Sequence, residues 1–112
     1  MTLFEKIAAH LIPADIVYED EHTVAFRDLH PVAPVHVLVI PRKPLARLSE
    51  ASADDVALLG ECMQTARLVA TQLGLDDGGY RVVMNNGDDA GQTVPHLHLH
   101  ILGGRPLTWP PG

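Results

Sequence analysis

The chain is short of the residues that several protein classes need. It has one cysteine, Cys62, so no internal disulfide can form, and a lone thiol in a helical pattern reads as a small core residue of a reducing compartment. Positive charge is in deficit, with 8 Lys and Arg against 14 Asp and Glu and a formal net charge of −6. That excludes a general nucleic-acid or anionic-membrane binder, either of which needs a basic footprint. A small phosphorylated ligand held by local geometry is still allowed. No apolar run approaches the roughly 20 residues that cross a bilayer. The opening MTLFEKIAAHLIPADIVYED has no signal-peptide stretch, so a cytoplasmic protein is expected. Linkers, repeats and low-complexity tracts are missing too. The 112 residues read as one domain, 1–112. A chain of this length buries roughly 60–70% of its unfolded surface, so a partner subunit would add useful apolar burial.

What is present suits a globular α+β domain. Residues 2–10 read as a short amphipathic helix with Leu3, Phe4, Ile7 and Ala8 on one stripe, ended by Pro13. IVYED (16–20) and HTVAFRD (22–28) read as a hairpin, and VHVLVIP (35–41) is the most apolar strand. Ser52 and Asp55 form a capping-box start for one long helix over 53–73, with Gly74 as its left-handed cap. Val56, Leu59, Met63, Ala66, Val69, Ala70 and Leu73 are expected to form its buried face. YRVVMN (80–85) and HLHLHIL (96–102) supply the last two strands. Strand and helix do not alternate, which favours a five-stranded, mostly antiparallel sheet with one short N-terminal and one long helix.

Histidine is abundant. Seven are present, and His96, His98 and His100 alternate with Leu97, Leu99 and Ile101. On a strand the three imidazoles share one face, about 6.5–7 Å apart, and the aliphatics share the other. His36 has the same placement relative to Val35 and Val37, and joins the row if the two strands are neighbours. His10 and His22 read as surface residues, and spacing assigns no role to His30. Two chemistries suit such a row. One is a metal site, although three ligands in a straight line converge poorly on one ion. The other is nucleophilic catalysis at phosphorus, where a neutral imidazole attacks while its neighbours stabilise phosphate charge.

The loop before the histidine strand supplies an anion cradle. In NNGDDAGQTV, which includes Gln92 and ends at Val94, the glycines, Gly91 among them, allow close backbone approach, while Asn85 and Thr93 add side-chain donors. Asp28, at the end of AFRDLHP, suits a ribose 2′,3′-diol or a simple loop cap. Phe4, Ile7, Phe26 and Leu29 suit an apolar slot for a base, or core.

HLHLHIL fits the His-φ-His-φ-His-φ-φ signature (φ apolar) of the histidine triad superfamily. LFEKIAAHLIPADIVYED, VAFRDLHPVAPVHVLVIP, the Asn85–Gln92 loop and the closing WPPG resemble its Hint branch of nucleotide-binding proteins. The resemblance implies a purine nucleoside phosphoramidase that splits the P–N bond of AMP-amines and related acyl or aminoacyl adenylates. In that reading His98 is the nucleophile and becomes nucleotidylated, His96 orients it, and His100 and His36 flank the phosphate. Asp28 and Leu29 hold the ribose, and Asn85, Gly91, Gln92 and Thr93 surround the phosphate. The resemblance implies no cofactor and no metal, AMP or GMP as ligand, and a homodimer with a ten-stranded sheet in which Trp109 reaches the partner's site. A nucleotide-binding scaffold protein and a dinucleoside polyphosphate hydrolase are the alternatives. Thr93 stands where a serine is usual, and Pro95 where a bulkier residue is.

Overall fold

A computed structural model describes residues 1–112. Its elements run α1 (Leu3–Ala8), β1 (Ile16–Glu19), β2 (Thr23–Arg27), β3 (Val35–Pro41), α2 (Val56–Gln72), β4 (Tyr80–Val83) and β5 (Leu99–Gly103). The strands lie in the order β1-β2-β3-β5-β4, and every neighbouring pair is antiparallel. The expected α+β architecture of five strands, one short and one long helix is present. No helix is long and apolar enough to cross a membrane.

β3 is central and covered on both faces, which accounts for its nearly unbroken apolar sequence. On one face Val37 and Val39 join Leu97, Leu99 and Ile101 beneath Cys62, Ala66, Val69 and Ala70 of α2. On the other, Leu38 and Ile40 join Val24 and Phe26 beneath Phe4, Ile7 and Ala8 of α1. His36 is the one polar side chain of β3, and it is buried. A buried hydroxyl pair, Thr23 with Thr65 at 2.7 Å, ties β2 to α2.

Local chemistry sets the boundaries. Asp20 Oδ1 accepts the Thr23 N–H at 2.8 Å and the His22 N–H at 2.9 Å, closing the β1–β2 turn. The Ser52 N–H bonds Asp55 Oδ2 at 2.9 Å and the Asp54 N–H bonds Ser52 Oγ at 3.2 Å, at the head of a short 3₁₀ turn, Ala53–Asp55, that leads into α2. Gly74, at φ +75°, ends the helix, with the Leu75 N–H on the Ala70 carbonyl and the Gly74 N–H on that of Thr71.

Four expectations need correction. The first helix covers Leu3–Ala8 and not 2–10, because the chain turns at His10, φ +58°, and Leu3 lies on the exposed side. On α2, Val56 and Met63 are 68% and 53% exposed, since the stripe that meets the sheet runs through Cys62, Thr65, Ala66, Val69 and Ala70. β4 ends at Val83, two residues early, where its partner His100 begins the last rung. β5 begins at Leu99, not at His96. Continuing its register would set Leu97 opposite Pro41, which has no N–H to give. The Leu97 N–H turns instead to the Leu45 carbonyl at 2.7 Å.

The exit from β5 is tight. Gly104 sits at φ +89°, and a Cβ there would lie 2.8 Å from Pro34 Cβ. Gly104→Ala is expected to cost about 1–3 kcal/mol, read as a lower urea midpoint at unchanged slope. An unmoved midpoint would show that the turn absorbs a methyl group.

Candidate active site

The imidazoles assemble although only one of the three lies within the β5 ladder. His98 and His100 have ring centroids 5.0 Å apart, and His36 and His100 are 5.2 Å apart. Phe4 of α1 stands edge-on to His98 at 5.0 Å and to His96 at 6.3 Å, so all four histidines lie on the α1 side of the sheet. The alternation expected of a strand thus persists into the irregular residues before it. β3 and β5 are neighbours, which brings in His36 as the fourth ring.

A neutral imidazole has one N–H and one lone pair, so a partner at one nitrogen decides the state of the other. His98 Nδ1 lies 2.7 Å from the His96 carbonyl, which only accepts; Nδ1 carries the proton and Nε2 the lone pair. His96 Nε2 lies 2.8 Å from the Pro41 carbonyl, so its proton is on Nε2. His96 Nδ1 is buried and has no hydrogen-bond partner. The Val32 N–H donates to His36 Nδ1 at 3.1 Å, which puts the proton of His36 on Nε2. That proton points to His100 Nδ1 at 2.9 Å, and His100 therefore carries its own on Nε2. Main-chain atoms thus set a lone pair on His98 and a donor on His100. His96 orients His98 through its carbonyl, while its ring locks the end of β3 to the approach to β5.

The surroundings of all four rings favour the neutral form. Burial lowers the pKa of His36, with the Asp28 carboxylate opposing, and that of His96, with the Pro41 carbonyl opposing. Burial likewise lowers that of His98 against the pull of the His96 carbonyl. His100 is driven down to about 4 by burial and then by the positive charge that His98 and His36 would carry.

A cavity of about 320 Å³ opens beside these rings. His98 and His100 line it, along with Thr93, Val94, Asp28, Leu29, Phe4, Ile7 and Phe26 among the residues singled out from sequence. His36 and His96 lie behind that surface. Asn85, Gly91 and Gln92 do not line it. The Gln92 amide is fully engaged, donating to the Ala46 carbonyl at 2.8 Å and the Val94 carbonyl at 3.0 Å and accepting the Gly87 N–H at 2.8 Å. It therefore shapes the cradle as an internal brace. Trp109 is 80% exposed and away from the cavity. Sequence reading missed Leu3, Ile12, Pro13, Ala14, Arg27, His30 and Leu38 as lining. Leu38 was within reach, two residues along the His36 face of β3. A smaller depression of about 210 Å³, between Gly78–Arg81 and Arg105–Leu107, lies apart from the histidines.

Asp28, His36 and His100 bring possible ligand atoms within 4.8 Å of one another. They do not fit a cation as they stand. The one His36 nitrogen near the others already carries the proton that the Val32 N–H forces onto it. A metal there would break that bond or demand an imidazolate.

The lowered pKa values make stability depend on pH with a definite sign. Below about 6.5 the unfolded chain takes up protons that the folded rings refuse, so stability is complete above that value. It falls as pH drops towards about 4, the value for His100. Tm is expected to decline across this interval, and calorimetry in buffers of different ionisation enthalpy should show proton uptake on unfolding at pH 5. Unfolding without uptake would contradict the burial of neutral rings.

Comparison with known proteins agrees with this architecture. The HIT domain model matches residues 9–107. An uncharacterized HIT-like protein of Synechocystis is 59% identical over 111 residues, spanning 99% of this chain and 96% of that protein. A 14 kDa zinc-binding protein of Zea mays is 48% identical over 113 residues, spanning 99% and 88%. The crystal structure of a HIT family hydrolase from Legionella pneumophila superposes with a TM-score of 0.98 at 47% identity, covering the whole of both chains. With the histidine row, its neighbouring cavity and these likenesses together, the chain belongs to the HIT family.

Proposed function

We propose that the protein is a purine nucleoside phosphoramidase, hydrolysing the P–N bond of an AMP-amine, or of related acyl or aminoacyl adenylates, through a nucleotidyl-histidine. One observation carries the reading. The Nδ1 proton of His98 is tied to a carbonyl, and its ring lines the cavity with Nε2 unprotonated. The likeness to a HIT family hydrolase supports a hydrolytic activity.

The steps follow from the tautomers. His98 Nε2 forms a bond to the α-phosphorus as the P–N bond breaks, and the amine departs with a proton taken from water. The imidazole, now substituted at Nε2 and still protonated at Nδ1, becomes cationic. The His96 carbonyl, 2.7 Å from that N–H, stabilises the charge. The His100 N–H donates to a phosphoryl oxygen as negative charge builds there. Water then attacks phosphorus, the P–N bond to His98 breaks, a proton returns to solution and the nucleoside monophosphate leaves. Asp28 takes the ribose hydroxyls and the apolar lining takes the purine. AMP and GMP are the expected products, with no cofactor.

Two in-line displacements predict net retention at phosphorus. Metal-free protein is expected to release AMP from an adenosine 5′-phosphoramidate, with a nucleotidyl adduct on His98 found by mass spectrometry. His98→Ala should lose about 10⁴-fold or more in kcat/KM. Inversion with a substrate chiral at the α-phosphorus, or activity only with added zinc, would overturn the covalent route. Faster turnover of dinucleoside polyphosphates would move the assignment to that substrate class.

The reading includes a homodimer. β4 is an edge strand, and Val56, Met63 and Leu68 of α2 expose apolar surface. Pairing two β4 edges joins the sheets into one of ten strands and covers an otherwise open edge. Sedimentation equilibrium should return twice the chain mass of 12.1 kDa; a monomer at micromolar concentration would reject this assembly.

A further inference from the structure

Asp28 is built into the site twice. Its side chain lines the cavity, where a sugar is expected. Its Oδ2 also lies 3.4 Å from His36 Nε2, the nitrogen that donates to His100 Nδ1 at 2.9 Å. The carboxylate is held in this pose from two directions. Oδ1 accepts the His30 N–H at 2.8 Å, and the Asp28 N–H bonds the His36 carbonyl at 3.0 Å. The His36 side chain is only 5% exposed, whereas that of Asp28 is 21% exposed, so the carboxylate faces the cavity with one edge and the histidine pair with the other. His36 does not line the cavity. It bridges, from behind, two residues that do.

We propose that Asp28 is a positioning residue for His100, acting through His36, and that the sugar-binding end of the cavity is thereby coupled to the donor at the phosphorus end. This rests on the phosphoramidase reading above. The chain Val32 N–H, His36, His100 is polarised in one direction, and a carboxylate beside its middle nitrogen stabilises the positive charge that spreads along it. When a phosphoryl oxygen gains charge, the His100 N–H is drawn towards it and His100 Nδ1 pulls harder on the His36 proton. Asp28 steadies that shift. A sugar hydroxyl donating to the same carboxylate shares its charge, so ribose occupancy and donor strength are linked.

Of the other titratable and charged groups near the pair, Arg27 and His30 flank Asp28 and line the same cavity, with Arg27 paired to Asp15 at 3.4 Å. His98 adjoins His100 on the same segment, and its protonation would oppose that of the pair. α1 presents the apolar Phe4, with Glu5 acting on His96. Asp28 supplies the negative charge felt at His36, His98 and His100.

The test crosses two protein variants with two substrates. Asp28→Asn removes the charge but keeps an oxygen for the His30 N–H, and matching Tm values confirm the fold. The substrates are an adenosine phosphoramidate and its 2′,3′-dideoxy analogue, which has no hydroxyls to offer Asp28. If Asp28 only binds sugar, Asp28→Asn leaves turnover of the dideoxy substrate unchanged. Under the proposal kcat on that substrate falls about tenfold, the loss of one negative charge beside the His36–His100 pair, with KM little altered. In a His36→Gln background, Asp28→Asn should then add nothing; independent, additive losses would overturn the route through His36. Nitrogen-15 NMR gives a readout separate from turnover. Asp28→Asn should lower the pH at which His36 and His100 titrate, and an unmoved titration overturns the coupling. Should wild-type protein hydrolyse neither phosphoramidate, the phosphoramidase reading fails, and the NMR titration alone decides whether the carboxylate drives the pair.

Discussion

The site depends on the rule that a neutral imidazole can hold its single ring proton on only one nitrogen at a time. Three main-chain groups use that rule, the His96 and Pro41 carbonyls and the Val32 amide, and the His36 ring passes it on to His100 across the β3–β5 pairing. Each fixes one nitrogen and so defines the other. The result is a set of rings with assigned roles, one acceptor and one donor towards the cavity, with no ring needing to be charged. Burial reinforces the arrangement, because the same desolvation that lowers each pKa penalises any competing protonation state.

The fold supplies this environment by covering both faces of the sheet. α2 takes the aliphatic half of the alternating pattern into a dry core. α1 lies across the other half and presents Phe4 to His98 and His96. A sheet with one open face would leave the rings wet and their protonation loosely set. The arrangement carries a cost, since His96 Nδ1 is buried with no hydrogen-bond partner. That atom is the price of a ring whose other nitrogen clamps β3 to the approach to β5.

Much of this was legible in the sequence because it follows from period. The strand at 35–41, the shared face of His96, His98 and His100, the capping box at Ser52 and the glycine stop at Gly74 all come from local patterns that tertiary packing had no reason to overrule. The misses share a cause. The start of β5 depends on Pro41, more than fifty residues earlier, lacking a donor where the ladder would extend. The buried stripe of α2 depends on which residues meet the sheet, and Val56 and Met63 have helical spacing without meeting it. At the site, side-chain identities were readable and main-chain partners were not. Nothing in the letters at 32, 41 or 46 announces that an amide or carbonyl there will bind a histidine or glutamine 4 to 55 residues away.

Setting ring states by backbone atoms has a consequence for how such a site changes over generations. A point replacement at 32 or 41 exchanges a side chain and, unless proline enters at 32, leaves the amide or carbonyl in place. The wiring is therefore indifferent to most single-letter drift at the positions that supply it. It is exposed instead to insertions and deletions, which move a carbonyl by a whole residue. Lineages of this fold are free to vary the composition of these connecting segments far more than their length.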